Sequence, residues 1–142
     1  MKRLIALGVL AASLAIGVSN VSSQTFSTHL YRGHASCSTG ATDTTGSRYG
    51  TFAVTGVSSH VVSAYVQTDN LAAYRTYNVS IYEYGHSCVL TSNVASFTTD
   101  GGGHALVHFQ FWQHTGETVA WAWIQHGSST DIVKSPALPI TG

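Results

Sequence analysis

Histidine is the residue in this sequence with the most obvious potential for chemistry. The chain has eight histidines among 142 residues, and imidazole is both a metal ligand and a base that titrates near neutral pH. They stand at positions 29, 34, 60, 86, 104, 108, 114 and 126. The functional interpretations are a metal site or a surface that responds to pH.

The spacing of these histidines argues against a metal site on a single strand. Two ligands on one face of a strand are two residues apart, and the chain has no His-x-His. His104 and His108 are four residues apart, so their Cα atoms lie about 13 Å apart in an extended chain, too far to share one ion. Copper–zinc superoxide dismutases are also disulfide-bearing secreted sandwiches, but their paired-histidine motif is missing here. We therefore predict no metal and no cofactor, with a site built across several strands as the alternative.

The acidic residues form no recognisable catalytic or calcium-binding pattern. The six carboxylates are scattered singly, whereas a calcium loop clusters them and a glycosidase needs two that face each other. The many Ser and His residues allow a Ser-His-Asp triad on paper, but no G-x-S-x-G supports one. We predict that the protein is not an enzyme and has no catalytic residue.

Aromatic residues on outward strand faces suggest a binding surface. Flat rings beside amide and imidazole groups bind sugars or pack against another protein. The candidate ligand-binding residues are Tyr65, Tyr82, Tyr84, His108, Gln110 and Trp112. Cross-strand aromatic pairs that only stabilise a sheet are the structural alternative. A β-bulge that shifts the register and buries the rings is another.

The two cysteines predict one disulfide bond. Cys37 and Cys88 make an even count in a chain that we expect to be exported. Neither belongs to a C-x-x-C sequence, so a structural bond is favoured over a redox role. Two free thiols are the alternative.

The beginning of the chain predicts export. Lys2 and Arg3 precede a run over 4–18 of apolar or small residues without charge. This run is shorter than the roughly 20 residues that span a bilayer, and it is typical of a secretory signal peptide. The protein is therefore expected to be secreted and extracellular, with no membrane contact after cleavage.

Small residues mark where the signal peptide ends. We place cleavage after Ser23, with Gly17 and Ser19 as alternatives. This choice gives a signal peptide over 1–23 and a single domain over 24–142. The domain keeps four basic residues against six acidic ones, which is no footprint for nucleic acid.

The composition of the domain predicts an all-β fold. Thr, Val, Tyr, Phe and Trp dominate, and short runs of them are separated by Gly, Ser, Asn and Asp. The predicted strands cover 29–37, 49–55, 60–67, 77–84, 94–99, 104–112, 118–125 and 130–135. We predict an antiparallel two-sheet sandwich of seven to eight strands with one disulfide.

Alternation along these strands assigns their faces. The predicted inward residues are Val62, Ala64, Val66, Tyr77, Val79, Ile81, Ala105, Val107, Phe109 and Phe111. The strand over 118–125 is ambiguous, because Trp121 and Trp123 share one face and Ala120, Ala122 and Ile124 share the other. We favour the tryptophan face inward, since two large rings bury more apolar area than two alanines. In the alternative, the strand presents both tryptophan rings to solvent and they form a binding surface.

Three segments carry a resemblance to a known class of proteins. They read YNVSIYEYGHSCVL, SFTTDGGGHALVHF and ETVAWAWIQ. Together they resemble the Ig-like β-sandwiches common among small secreted bacterial proteins. The resemblance implies the fold and export, and it implies no particular activity.

Three functional hypotheses follow. The first is an extracellular module that recognises a glycan or a protein through an aromatic and polar sheet face. The second is a structural or self-assembling surface protein, because so few lysines leave its edge strands poorly guarded against pairing. The third is a metal-dependent activity.

The last five residues, 138–142, read LPITG. This pentapeptide resembles the signal by which sortases anchor bacterial surface proteins to the cell wall. In that family an apolar segment and a basic tail follow the motif, and neither follows Gly142. We therefore expect no anchoring but an extended segment that continues the last strand, where Pro136 and Pro139 are tolerated because an edge needs no N–H donor.

Overall fold

A computed structural model gives the structure over residues 24–141. The predicted signal peptide over 1–23 and Gly142 lie outside these described residues. Within 24–141 there is no helix with the length and apolar character needed to cross a bilayer. The described chain consists of strands and their connections, which confirms the all-β prediction.

Eleven strands follow one another along the described chain. They are β1 Phe26–Tyr31, β2 Ala35–Ser36, β3 Gly40–Ala41, β4 Arg48–Ser58, β5 Val61–Thr68, β6 Thr76–Tyr84, β7 Val89–Thr98, β8 Ala105–Trp112, β9 Val119–Gln125, β10 Ile132–Lys134 and β11 Leu138–Pro139. The predicted strand over 29–37 is split, because the chain leaves β1 after Tyr31 and forms the small β2–β3 hairpin.

Nine of these strands form one antiparallel sheet. Its order is β7-β6-β9-β10-β1-β4-β5-β8, with β11 added beside β9. The end strands β7 and β8 contact each other, so the sheet curls into a nearly closed barrel. Between β1 and β10 the sheet is held by a single residue pair, Tyr31 with Lys134. The hydrogen-bonded path is thus continuous, unlike the two separate sheets that the sequence predicted.

Alternation predicted the inner faces of β5, β6 and β8 correctly. Val62, Val66, Tyr77, Val79 and Ile81 are completely buried, and Ala64 and Phe111 nearly so. Ala105, Val107 and Phe109 are partly buried and pack against this core. The opposite face of β8 is open to solvent, where 59% of Leu106 and 61% of Trp112 are exposed.

The inner face of β9 is its alanine face. Ala120, Ala122 and Ile124 are completely buried and belong to the core. The prediction that Trp121 and Trp123 point inward is therefore wrong. Trp121 is nonetheless only 3% exposed, because the β2–β3 hairpin covers it and the carbonyl of Cys37 accepts a hydrogen bond from its indole Nε1 at 2.9 Å.

The final segment lies against the same strand. β11 pairs with β9, and the backbone N–H of Ile140 donates to the carbonyl of Thr118 at 2.9 Å. Leu138 and Ile140 are buried in the core, while Pro139 between them is exposed. The prediction of an extended segment is confirmed, and its two apolar residues also complete the core. The absence of sortase anchoring stays a prediction.

The predicted disulfide is confirmed. Cys37 and Cys88 are bonded, with their Cα atoms 5.9 Å apart. The bond ties the turn of the β2–β3 hairpin to the connection between β6 and β7. A cross-link that spans 51 residues restricts the unfolded chain by about 4 kcal/mol in the chain-entropy model.

Truncating a side chain should lower the free energy of unfolding by different amounts on the two faces of β9. Ile124→Ala removes a completely buried side chain and should lower the free energy of unfolding by about 2–5 kcal/mol. Trp123→Ala is the matched control on the outer face and should cost less, because that ring is partly exposed. Urea denaturation of both variants measures the difference. An equal or larger loss for Trp123→Ala would show that the assigned faces are reversed.

Candidate functional site

Three aromatic rings cluster on the outer face of the sheet, where β6 and β9 pair. Tyr82 lies opposite Trp121 in the register, and the two rings stack with centroids 4.5 Å apart. Trp123 is on the same face of β9, with its ring 6.0 Å from Tyr82 and 6.3 Å from Trp121. We call Tyr82, Trp121 and Trp123 the aromatic cluster.

Two shallow grooves run along either side of this cluster. The first groove, of about 290 Å³, is lined by Asn78, Ser80, Tyr82, Leu90, Ser92, Asn93, Trp123, Gln125 and Gly127. The second groove, of about 370 Å³, is lined by Gly33, His34, Ala35, Ser36, Cys37, Tyr82, Trp121, Trp123 and Lys134. Tyr82 and Trp123 line both, so their rings form a ridge between the grooves.

The first groove offers uncharged hydrogen-bonding groups held in place by their neighbours. Gln125 accepts from the indole Nε1 of Trp123 at 3.1 Å and donates to the carbonyl of Ser129 at 2.8 Å. On the other side, the hydroxyl of Ser80 accepts from the backbone N–H of Asn93 at 3.1 Å. The pairing of β6 with β7 is irregular at this point, which turns Asn93 toward the groove lining.

The second groove lies between the sheet and the loop that the disulfide holds. Lys134, on β10, places its Nζ 5.1 Å from the centre of the Trp123 ring, within the range of a cation–π interaction. The same Nζ donates a hydrogen bond to the carbonyl of Gly33. Burial lowers the pKa of Lys134 from its ordinary value, because removing water disfavours the charged form.

Four of the sequence-predicted site residues lie on the outer face of β5 and β8 instead. Tyr65 and His108 are register partners, with ring centroids 5.5 Å apart. Gln110 donates to the hydroxyl of Ser63 at 3.1 Å. The ring of Trp112 lies 6.2 Å from that of His60. We call Tyr65, His108, Gln110 and Trp112 the β5–β8 face.

Tyr82 and Tyr84, the other two predicted residues, are on β6. No hydrogen bond or aromatic contact among the described residues joins them to the β5–β8 face. Only Tyr82 belongs to the aromatic cluster, whereas Tyr84 pairs with Val119 near the end of β6. The structure thus divides the predicted site between two surfaces, and it adds Trp123 and Lys134, which are not among the six predicted residues.

The eight histidines do not come together in one site. Within residues 24–141, which contain all eight, no group of three His, Cys, Asp or Glu side chains is arranged to hold a metal ion. Three have single polar partners: His104 lies 3.0 Å from Asp69, His114 lies 2.6 Å from Glu83, and His126 lies 2.7 Å from the carbonyl of Thr76.

Two buried carboxylates hold loops together at one end of the barrel. Glu83 is completely buried, and it accepts from the backbone N–H of His114 at 3.0 Å as well as facing that residue's ring. Glu117 is 2% exposed and accepts from the backbone of His86 and from Ser87. These hydrogen bonds give partners to carboxyl oxygens that would be costly to bury without them. Glu83 follows Tyr77, Val79 and Ile81 on the inner face of β6, and the sequence analysis assigned it no role.

A second charged cluster lies around Asp131. Its carboxylate accepts from the hydroxyl of Tyr77 at 2.5 Å and from Arg32 at 2.9 Å, and Arg75 lies 3.7 Å away. Burial acts to raise the pKa of Asp131, but the bonds from Tyr77 and Arg32 outweigh it and the net pKa is lowered. Burial, together with the Asp131 carboxylate, raises the pKa of Tyr77 to about 12.

Comparison of the chain with models of known protein families, with curated proteins and with solved structures finds no match.

The raised pKa of Tyr77 predicts that the protein loses stability at high pH. Its folded pKa is raised, so its contribution is complete below its ordinary pKa of about 10 and is lost as the pH rises through about 12. Tyr77→Phe should abolish that step and cost roughly 1.5–3 kcal/mol at neutral pH, because it removes a hydrogen bond to a charged group. Unfolding free energies from pH 7 to 12 and the absorbance of tyrosinate measure both effects.

The control for this prediction is Tyr74→Phe, which removes a phenol that is 79% exposed. This variant should keep the high-pH step. A Tyr77→Phe protein that still shows the full step would contradict the assignment.

Proposed function

We propose that the protein is a secreted binding module that holds a carbohydrate against the ridge formed by Tyr82 and Trp123. The observation that carries the proposal is the ridge itself, two partly exposed rings between two grooves. The apolar face of a sugar ring packs on an aromatic ring, and its hydroxyls exchange hydrogen bonds with polar groups at the side. One surface therefore offers both parts of sugar recognition.

The lining of the first groove favours a carbohydrate over a protein partner. Its polar side chains are Asn78, Ser80, Ser92, Asn93 and Gln125, which donate and accept hydrogen bonds without charge. Protein interfaces instead concentrate their affinity in deeply buried apolar and arginine anchors. An open groove with a dense set of uncharged polar groups is better suited to hydroxyls.

Binding without catalysis is part of the proposal. The two buried carboxylates, Glu83 and Glu117, accept hydrogen bonds from loop backbone and side-chain donors, and neither lines a groove. A hydrolase would need acids that reach the bound sugar. We therefore propose that the module holds its ligand unchanged, and we assign it no cofactor or metal.

Export and an Ig-like origin also belong to the proposal. The disulfide supports an oxidising compartment. The single pair of Tyr31 with Lys134 that joins the two four-stranded halves of the sheet supports a relationship to sandwiches made of two sheets. The proposed setting is the extracellular space, where a soluble glycan or a cell surface would present the ligand.

The ridge predicts which aromatic residues matter. Trp123→Ala should weaken binding about thirtyfold or more, since truncating a central aromatic anchor costs about 2 kcal/mol or more, and Tyr82→Ala should act in the same direction. Trp112→Ala is the control, because it removes an exposed ring on the β5–β8 face. A glycan array followed by titration calorimetry on the best ligand measures the effect.

The opposite pattern of effects would assign the binding site to a different surface. If Trp112→Ala abolishes binding while Trp123→Ala keeps it, the β5–β8 face is the binding surface. Circular dichroism of each variant separates lost binding from lost folding.

Self-association through β8 is a second candidate function. β8 is a terminal strand of the sheet order, and its outer face exposes Leu106 and Trp112. Exposed apolar residues on a terminal strand favour pairing with another copy.

Sedimentation over a range of protein concentrations tests this second candidate. Association through β8 predicts oligomers that dissociate in a Leu106→Lys, Trp112→Lys double variant, because two charges disfavour an apolar contact between copies. A strictly monomeric wild-type protein at high concentration contradicts it.

A further inference from the structure

We infer that the carbohydrate is acidic, and that its carboxylate or sulfate group meets Lys134 in the second groove. This inference rests on the proposed function and adds the chemical class of the ligand. Its observations are the charges that line the grooves, the surroundings of the Lys134 ammonium group, and the register of the outer face.

The first observation is the sign of the charge beside the ridge. Among residues 24–141, Lys134 is the one Lys, Arg, Asp or Glu side chain that lines either groove. His34 is the other titratable side chain there besides the phenol of Tyr82, and it also becomes positive when it is protonated. The grooves therefore attract an anionic ligand and hold no carboxylate that would repel it.

The second observation is that the charge of Lys134 has no carboxylate partner among the described residues. Arg32 and Arg75 both pair with Asp131, whereas Lys134 has only the carbonyl of Gly33 and the ring of Trp123. An ammonium group has three N–H donors, and one of them is taken by Gly33. The other two are free to bind an acid group that lies beside the Trp123 ring.

The third observation is that a second basic side chain, Arg48, lies on the same outer face of the sheet as Lys134. Register places Trp123 beside Lys134, Lys134 beside Tyr31, and Tyr31 beside Arg48. Arg48 is exposed and has no ion pair within the described chain. Neighbouring strands are about 4.8 Å apart, so Lys134 and Arg48 are roughly 10 Å apart across the sheet, far enough to meet different units of a chain that carries repeated acid groups.

One acidic residue lies close to this face. A side chain added at Gly33 would meet Asp43 at 3.3 Å, so the Asp43 carboxylate is next to the loop of the second groove. It lines neither groove, and it accepts hydrogen bonds from the backbone and hydroxyl of Thr45. Lys134 is therefore the charged side chain of the groove lining, and Asp43 lies next to the loop outside that lining.

The test compares matched acidic and neutral carbohydrates on the full mature protein. The probes are oligogalacturonides against their carboxyl-reduced forms, and dextran sulfate against dextran, which separate carboxylate from sulfate as the source of the anion. Wild-type protein should bind at least one acidic member about tenfold more tightly than its neutral match, and added salt should reduce that preference.

Substitutions at three positions test whether Lys134 is the source of the preference for acidic carbohydrates. Lys134→Gln should remove the preference for the acidic member while neutral binding is kept, and Lys134→Arg should retain the preference. Arg48→Gln should reduce it by less. Arg75→Gln is the control of equal charge change, since Arg75 pairs with Asp131 and lines neither groove, and it should leave the preference unchanged.

The outcomes separate this inference from the proposed function. Equal binding of neutral and acidic members by the wild-type protein overturns the inference and leaves carbohydrate binding intact. An acidic preference that falls equally in Lys134→Gln and Arg75→Gln shows general charge attraction and also overturns it. If no member of either class binds, the proposed function fails and the inference fails with it.

Discussion

Side chains alternate across a strand, so β9 can place either its alanines or its tryptophans in the core, but never both. The structure buries Ala120 and Ala122 inside. Larger residues from other segments, such as Phe52, Tyr77 and Ile140, share that core. The tryptophans are then forced to the outer face, where β6 brings Tyr82 beside them. The surface that we propose as a binding site exists because of this one choice of face.

The sequence analysis assigned the wrong face of β9 to the core, for a physical reason. Apolar area favours the larger rings inside only if the core is the one place where a side chain can be buried. Trp121 is almost fully buried without entering the core, since the β2–β3 hairpin lies over it and Cys37 accepts its indole N–H. That cover comes from residues more than eighty positions earlier in the chain. On β5, β6 and β8 no such cover competes, and simple alternation was sufficient.

The sequence predicted an outward-facing aromatic surface, but not which strands bring its residues together. Alternation identified Tyr82 as an outward aromatic, which it is. It could not associate Tyr82 with Trp123, because β6 and β9 are neighbours in the sheet but not along the chain. Nothing in the local sequence around Lys134 shows that β10 places it beside a tryptophan. Trp112 shares the outward pattern of Tyr82, but β8 and β6 are not neighbours in the sheet.

The hairpin that covers Trp121 is attached to the barrel differently from the other strands. Its two strands pair with each other, and hydrogen bonds join Ala41 to Ser135 and Thr39 to Ala137 in the segment between β10 and β11. The Cys37–Cys88 bond adds a covalent link at its turn. Ala41 is buried, although no residue of the hairpin belongs to the main core cluster. In protein produced in a reducing cytoplasm, only hydrogen bonds and packing would hold this wall of the second groove. A ligand screen performed on such material would test a groove whose wall lacks its covalent link.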